Sequence, residues 1–144
     1  MGEGPAHDEP SPDKISAGIE YAISQGEVGL AIQTAKKIGR ELTPEELTSA
    51  YEHARGFDYV PGMVDGAIAL KNEEFVADAL SACLDQAELY YAQQCVEYLH
   101  RELTDSELDE LILSTEAKGD TAPPGQLDEL KEILLAHQKR NTID

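Results

Sequence analysis

The sequence predicts an all-α protein, a right-handed stack of about four helical hairpins with roughly eight helices in all. Three observations carry that expectation. Ser11, Thr43, Asn72 and Thr104 each precede a helix-like run and are separated by 32, 29 and 32 residues, a spacing that marks repeated units. After each of them apolar side chains return four, seven, eight and eleven positions on, which is one face of an α-helix. There is no Trp and there are only two Phe, so the core must be built from Ala, Leu, Ile and Val, which suits helices packed closely together.

Taken in order, residues 1–10 combine Gly, Pro and acid without apolar periodicity and are expected to form a disordered tail. Residues 11–120 form the helical-repeat domain, with units starting at 11, 43, 72 and 104. Ser11-Pro12-Asp13, Thr43-Pro44-Glu45-Glu46, Asn72-Glu73-Glu74 and Thr104-Asp105-Ser106-Glu107 all read as helix starts. In each, a short polar side chain can accept from the backbone N–H groups of the first turn, which have no partner inside the helix. Pro12 and Pro44 fall at the first helical position, where no N–H is required. Thr43 with Glu46 and Thr104 with Glu107 have the spacing of a capping box.

The packing columns follow. Four residues after the caps stand Ile15, Leu47, Val76 and Leu108; seven after, Gly18, Ala50, Ala79 and Leu111; eight after, Ile19, Tyr51, Leu80 and Ile112; eleven after, Ala22, Ala54, Cys83 and Thr115. Small residues in the seventh and eleventh columns are expected to let a neighbouring helix approach. Second helices carry Ala31, Ala35 and Ile38, then Met63, Ala67 and Leu70, then Ala92, Val96 and Leu99. Residues 38–43 and 99–104 share Arg-Glu-Leu-Thr at the same place, 61 residues apart. Residues 121–125, Thr-Ala-Pro-Pro-Gly, are a linker. Residues 126–140 then form a helix with Leu127, Leu130, Ile133, Leu134 and His137 on one side, expected to cap the apolar end of the stack.

A net charge of −18, from 29 acidic and 11 basic residues, repels phosphate and disfavours direct contact with nucleic acid or an anionic membrane. The start of the chain is neither basic nor followed by an apolar run, unlike a signal peptide. Cys83 and Cys95, the only two cysteines, then read as reduced thiols at packing positions, and a cytoplasmic location is expected.

No phosphate-binding glycine loop, paired-His zinc motif or nucleophile elbow is present. Asp105, Glu107, Asp109 and Glu116 match four positions of a calcium loop, but Glu110 stands where that loop needs Gly. No catalytic residue, metal or cofactor is assigned, and no enzymatic activity is expected.

The layout resembles the tetratricopeptide class of α-solenoids. The likeness lies in Gly26-Glu27-Val28-Gly29-Leu30-Ala31, a turn glycine followed by an alanine early in a second helix, and in Leu42-Thr43-Pro44, where one repeat closes and the next opens. It extends over residues 11 to about 119 as a pattern, with periods of 29 and 32 and no Trp near the repeat start. The resemblance implies a scaffold that holds a peptide or protein. The expected function is therefore a non-enzymatic interaction module, an adaptor or chaperone-like scaffold, for a protein segment, with a basic segment favoured by the charge. The alternative is an acidic mimic of nucleic acid that blocks a DNA- or RNA-binding protein. Glu20 with Tyr21 and Glu52 with His53, nine and ten residues after successive caps, place an acid beside a ring on two helices and are the candidate partner-binding residues. The solenoid ends offer a route to a homodimer.

Overall fold

The computed structural model describes residues 12–143, with side chains from 13 to 140; the expected tail at 1–10 and the cap Ser11 lie outside the described residues. Among the described residues there are eight α-helices and no strand. They are α1 (Pro12–Ser24), α2 (Val28–Lys36), α3 (Pro44–Gly56), α4 (Val60–Leu70), α5 (Glu73–Asp85), α6 (Leu89–Tyr98), α7 (Asp105–Lys118) and α8 (Gln126–Ile143), with a short 3-10 turn at Gly119–Thr121. No described helix is long and apolar enough to cross a membrane.

The chain divides into two compact units, Met1–Asn72 and Glu73–Asp144. In the first, α1 packs on α2 and α3 on α4, while α1 also meets α3 and α2 meets α4. In the second, α5 packs on α6 and α7 on α8, and α5 meets α7. Helices thus pack as adjacent pairs in both units. The first three helices of the units begin at 12, 28 and 44 and at 73, 89 and 105, a constant shift of 61. Hairpins are therefore repeated two at a time. Alignment of single hairpins hides this, because it averages two different spacings. α8 breaks the shift: it starts 66 residues after α4 begins, the 3-10 turn and Pro123-Pro124 accounting for the difference.

Local chemistry places the starts. Thr43 and Thr104 cap α3 and α7 through complete capping boxes: each Thr hydroxyl accepts from the backbone N–H of the Glu three residues on, and that Glu accepts from the Thr backbone N–H at 2.9 Å. Both boxes carry a further clasp. Arg40 bonds Glu46, and Arg101 holds both carboxylate oxygens of Glu107 at 2.9 Å. Arg101 first, then the backbone of Thr104, keep the Glu107 carboxyl below the usual range.

Most of the predicted column positions form the core, while Ile15, Leu47 and Ile112 are half-buried and Gly18 departs altogether. Ile19, Tyr51, Leu80, Ala50, Ala79, Leu111, Ala22, Ala54, Cys83 and Thr115 are all buried. Gly18, expected to admit a neighbouring helix, is exposed and has no atom within 4 Å of where a Cβ would stand. Close approach is made instead against Ala54 of the eleventh column, from the α1–α2 turn and from the first turn of α4. Gly26 adopts φ +71° against Ala54, and a Cβ on Gly62 would lie 2.0 Å from the Gly26 carbonyl oxygen, so both positions need glycine. In unit 2 the counterpart of Gly26 is Ala87, also left-handed at φ 60° and buried. There the gap is bridged by a side chain: Gln126, at the start of α8, donates to the Ala87 carbonyl at 2.7 Å and to Thr115 Oγ1 at 2.9 Å.

Cys83 and Cys95 are free and fully buried. A hydrogen bond between them, then burial, pushes the Cys83 thiol above its ordinary value.

Candidate functional site

The 61-residue shift brings out a matched pair of grooves. In unit 1, Ile32 and Lys36 of α2, the turn residues Gly39, Arg40, Glu41 and Leu42, Leu47 of α3 and Ala69 of α4 enclose about 490 Å³. In unit 2, Gln93, Val96 and Glu97 of α6, the turn residues Arg101, Glu102 and Leu103, and Ile133 and His137 of α8 enclose the same volume, about 490 Å³. Shifted by 61, Arg40, Glu41 and Leu42 become Arg101, Glu102 and Leu103.

The two grooves differ in the helix that walls one side of each. α8 has 18 residues and α4 has 11, so α8 continues two turns beyond the length at which α4 stops. On that extension His137 Nδ1 lies 3.1 Å from Asp105 Oδ1, and Nε2 lies 3.2 Å from Glu102 Oε1. The ring thus stands between two carboxylates. Arg140 reaches the same Glu102 at 3.1 Å, and Arg140 first, with His137 after it, draws the Glu102 carboxyl below its usual range. In unit 1, α4 ends at Leu70 in a left-handed Lys71, φ 54°, whose N–H returns to the Ile68 carbonyl, a Schellman-type stop. Among the described residues no base pairs with Glu41. Burial follows the same division: Leu103 and Leu108 are buried, whereas their counterparts Leu42 and Leu47 are only half-buried.

A second concavity lies at the turns of unit 1. Tyr21 and Gln25 from the end of α1, Glu27 from the α1–α2 turn, and Phe57, Asp58 and Tyr59 from the α3–α4 turn line about 430 Å³. The rings are unusually open for their size: Tyr21 is 67% exposed, Phe57 59% and Tyr59 38%. Asp58, between Phe57 and Tyr59 in the turn, is left-handed at φ 55°. Burial, then the charges of Glu27 and Asp65, raise the Tyr59 phenol above its ordinary value. Asp65 itself is raised by burial. Among the described residues no Lys, Arg or His lines this cavity.

Of the four residues singled out in the sequence, Tyr21 lies in this aromatic mouth. Glu20, Glu52 and His53 are exposed and line none of these three cavities; His53 Nδ1 is engaged with the Ser49 carbonyl at 2.8 Å. Phe57 and Tyr59 escaped the sequence reading because they sit in a turn, where helical periodicity gives no signal. Two aromatic residues flanking an acid between helices were the available clue. Among the described residues no group of three His, Cys, Asp or Glu side chains is placed to hold a metal ion, and residues 105–116 lie within α7.

No family model, no curated protein and no solved structure matches this chain significantly.

Proposed function

We propose that the protein is a non-enzymatic interaction module whose first unit receives an amphipathic helical segment of a partner protein, with a basic residue of that segment set against Glu41. The observation that carries this reading is the inequality of the matched grooves. Leu42 and Leu47 are half-exposed where Leu103 and Leu108 are buried. The chain itself supplies the template for the occupant. Along the wall of the groove in unit 2, α8 presents Ile133 and His137, with Arg140 beyond them, an apolar anchor followed by two bases at spacings of four and seven on one helical face. A groove that takes such a face is a helix-in-groove site. Lys36 stands where unit 2 has Glu97, so an acidic residue at the other edge of the partner helix completes the match.

The test uses a synthetic peptide of residues 127–143 as probe, titrated against the full chain by calorimetry. Saturable binding that weakens at least tenfold with Glu41→Lys, and again with Leu42→Ala, is the expected result. A peptide that does not bind, or binds the variants as well as the parent chain, would overturn the reading. The acidic-mimic alternative rests on the net charge of −18 alone.

A further inference from the structure

We propose that unit 2 holds a second docking site for a partner helix with an apolar anchor and basic residues, held closed by the distal half of α8. A base of the partner opens it by taking Glu102 from Arg140. The proposal rests on the reading of unit 1 given above and concerns how the matched site in unit 2 is controlled.

The distal half of α8 is lightly anchored. In α4, Val60, Gly62, Met63, Val64, Gly66 and Ala67 are buried. In α8 the buried residues among the described side chains are Gln126 and Leu130, and none from Lys131 to Arg140 is buried. α4 packs on both α3 and α2, whereas the substantial pairing of α8 is with α7. A segment with so few buried apolar contacts opens at low free energy while the rest of the unit stays folded.

What holds this half in place is charge. Ile133 and His137 line the groove, and the two ring nitrogens of His137 lie 3.1 Å from Asp105 and 3.2 Å from Glu102. Arg140 meets the Glu102 carboxylate at 3.1 and 3.3 Å. The Glu102 side chain is 68% exposed and that of Arg140 58%, so a competing base can reach the carboxylate. Exposed ion pairs of this kind contribute little net stability, and a partner can replace them one for one.

Unit 1 shows the same site without the clasp. An identical Arg-Glu-Leu turn borders a groove of the same volume, about 490 Å³. There α4 stops at Leu70, and Leu42 is half-buried where Leu103 is buried. Lifting the distal half of α8 therefore opens Leu103 beside Glu102, the combination that Leu42 and Glu41 present. Unit 2 adds Asp105 where unit 1 has Pro44, so its occupant is selected for two bases rather than one. A neutral or acidic segment has nothing with which to displace Arg140.

The experiment introduces His137→Glu and Arg140→Glu together into the full chain, setting like charges against Glu102 and Asp105. Backbone hydrogen exchange and calorimetric titration with the peptide of residues 127–143 are the readouts. Amides of residues 134–140 are expected to lose protection at least tenfold while those of α7 keep theirs, and Arg140→Gln alone to move them in the same direction. Binding is expected to rise from one peptide per chain to two. Adding Glu41→Lys to the opened chain should return the count to one, and adding Glu102→Lys to that should abolish it. An opened chain that still binds one peptide overturns the proposal and leaves the site in unit 1 standing. A parent chain that already binds two overturns it as well, and so does loss of protection that spreads through α7. Absence of binding by both chains defeats the reading of unit 1 and this proposal with it.

Discussion

Gln126 and Thr115 meet inside unit 2, the Gln126 amide donating to the Thr115 hydroxyl across 2.9 Å while its other bond runs to the Ala87 carbonyl at 2.7 Å. One side chain thereby ties the start of α8 to α7 and to the α5–α6 turn. Unit 1 closes the same junction with glycines, Gly62 against the Gly26 carbonyl. Replacing Gln126 with Ala strands a buried hydroxyl and a buried carbonyl, at a cost of about 1–3 kcal/mol. Urea unfolding reads that loss. Adding Thr115→Ala to Gln126→Ala is expected to cost less than the sum of the two single changes, since the partners share one bond.

The glycine junction predicts opposite signs for two changes of the same kind. Gly62→Ala places a methyl group 2.0 Å from the Gly26 oxygen and 2.8 Å from Ala54 Cβ, so backbone must move, at about 3 kcal/mol. Gly18→Ala meets nothing within 4 Å and replaces an exposed glycine inside a helix, a gain of about 0.5–1 kcal/mol. Thermal unfolding of the two variants distinguishes them; a Gly18→Ala chain that melts lower than the parent would contradict the exposed placement of that residue.

Acid sensitivity is expected from the Arg101–Glu107 clasp. Glu107 is held below the ordinary carboxylate value in the folded chain, by Arg101 foremost. A lowered folded pKa means that the contribution is fully present above the unfolded value, near 4.5, and is lost as pH falls through the folded one. Glu46 repeats the arrangement, its backbone bond to Thr43 leading. The urea midpoint should therefore drop between pH 6 and pH 3, roughly. The drop should shrink in a Glu46→Gln/Glu107→Gln chain, which starts from a lower midpoint at pH 6. An equal drop in both chains would remove the two carboxylates from the account.

Asp65 should behave in the reverse sense. Burial raises its carboxyl above 3.8, so the charged form disfavours folding at neutral pH and the penalty fades as pH falls below the unfolded value. Asp65→Asn is expected to raise the urea midpoint at pH 7 and to leave it nearly unchanged at pH 3. A variant that lowers the midpoint at pH 7 would show that the carboxylate is held by a favourable contact.

What could be read in advance divides along the range of the interactions. The capping boxes at Thr43 and Thr104 were legible because they need only residues three apart. The buried columns through Ile19, Tyr51 and Leu80 were legible because one helical face is visible in one window. Leu47 and Leu108 hold identical places in their helices, yet one is half-buried and the other buried. That difference accompanies the greater length of α8, which local pattern does not register. Gly18 fits a column of small residues but stands on the open side of α1, a matter of which neighbours exist rather than of its own spacing. Tyr21 was noticed for its position on a helix; its companions Phe57 and Tyr59 come from a turn some 35 residues later and join it only once the hairpins pack.

The order of helix contacts also governs how the chain acquires its structure. Every substantial helix pairing joins neighbours along the chain or next-but-one neighbours. No pairing has to wait for a distant segment, so the loop-closing entropy of each step stays small. Chains of such low contact order reach the native state in milliseconds or less, as a rough scale. On a ribosome, α1 through α4 have all their mutual partners as soon as Asn72 has emerged. The first unit can therefore gain its turns, its glycine junction and its aromatic mouth while Gln126 is still to be translated.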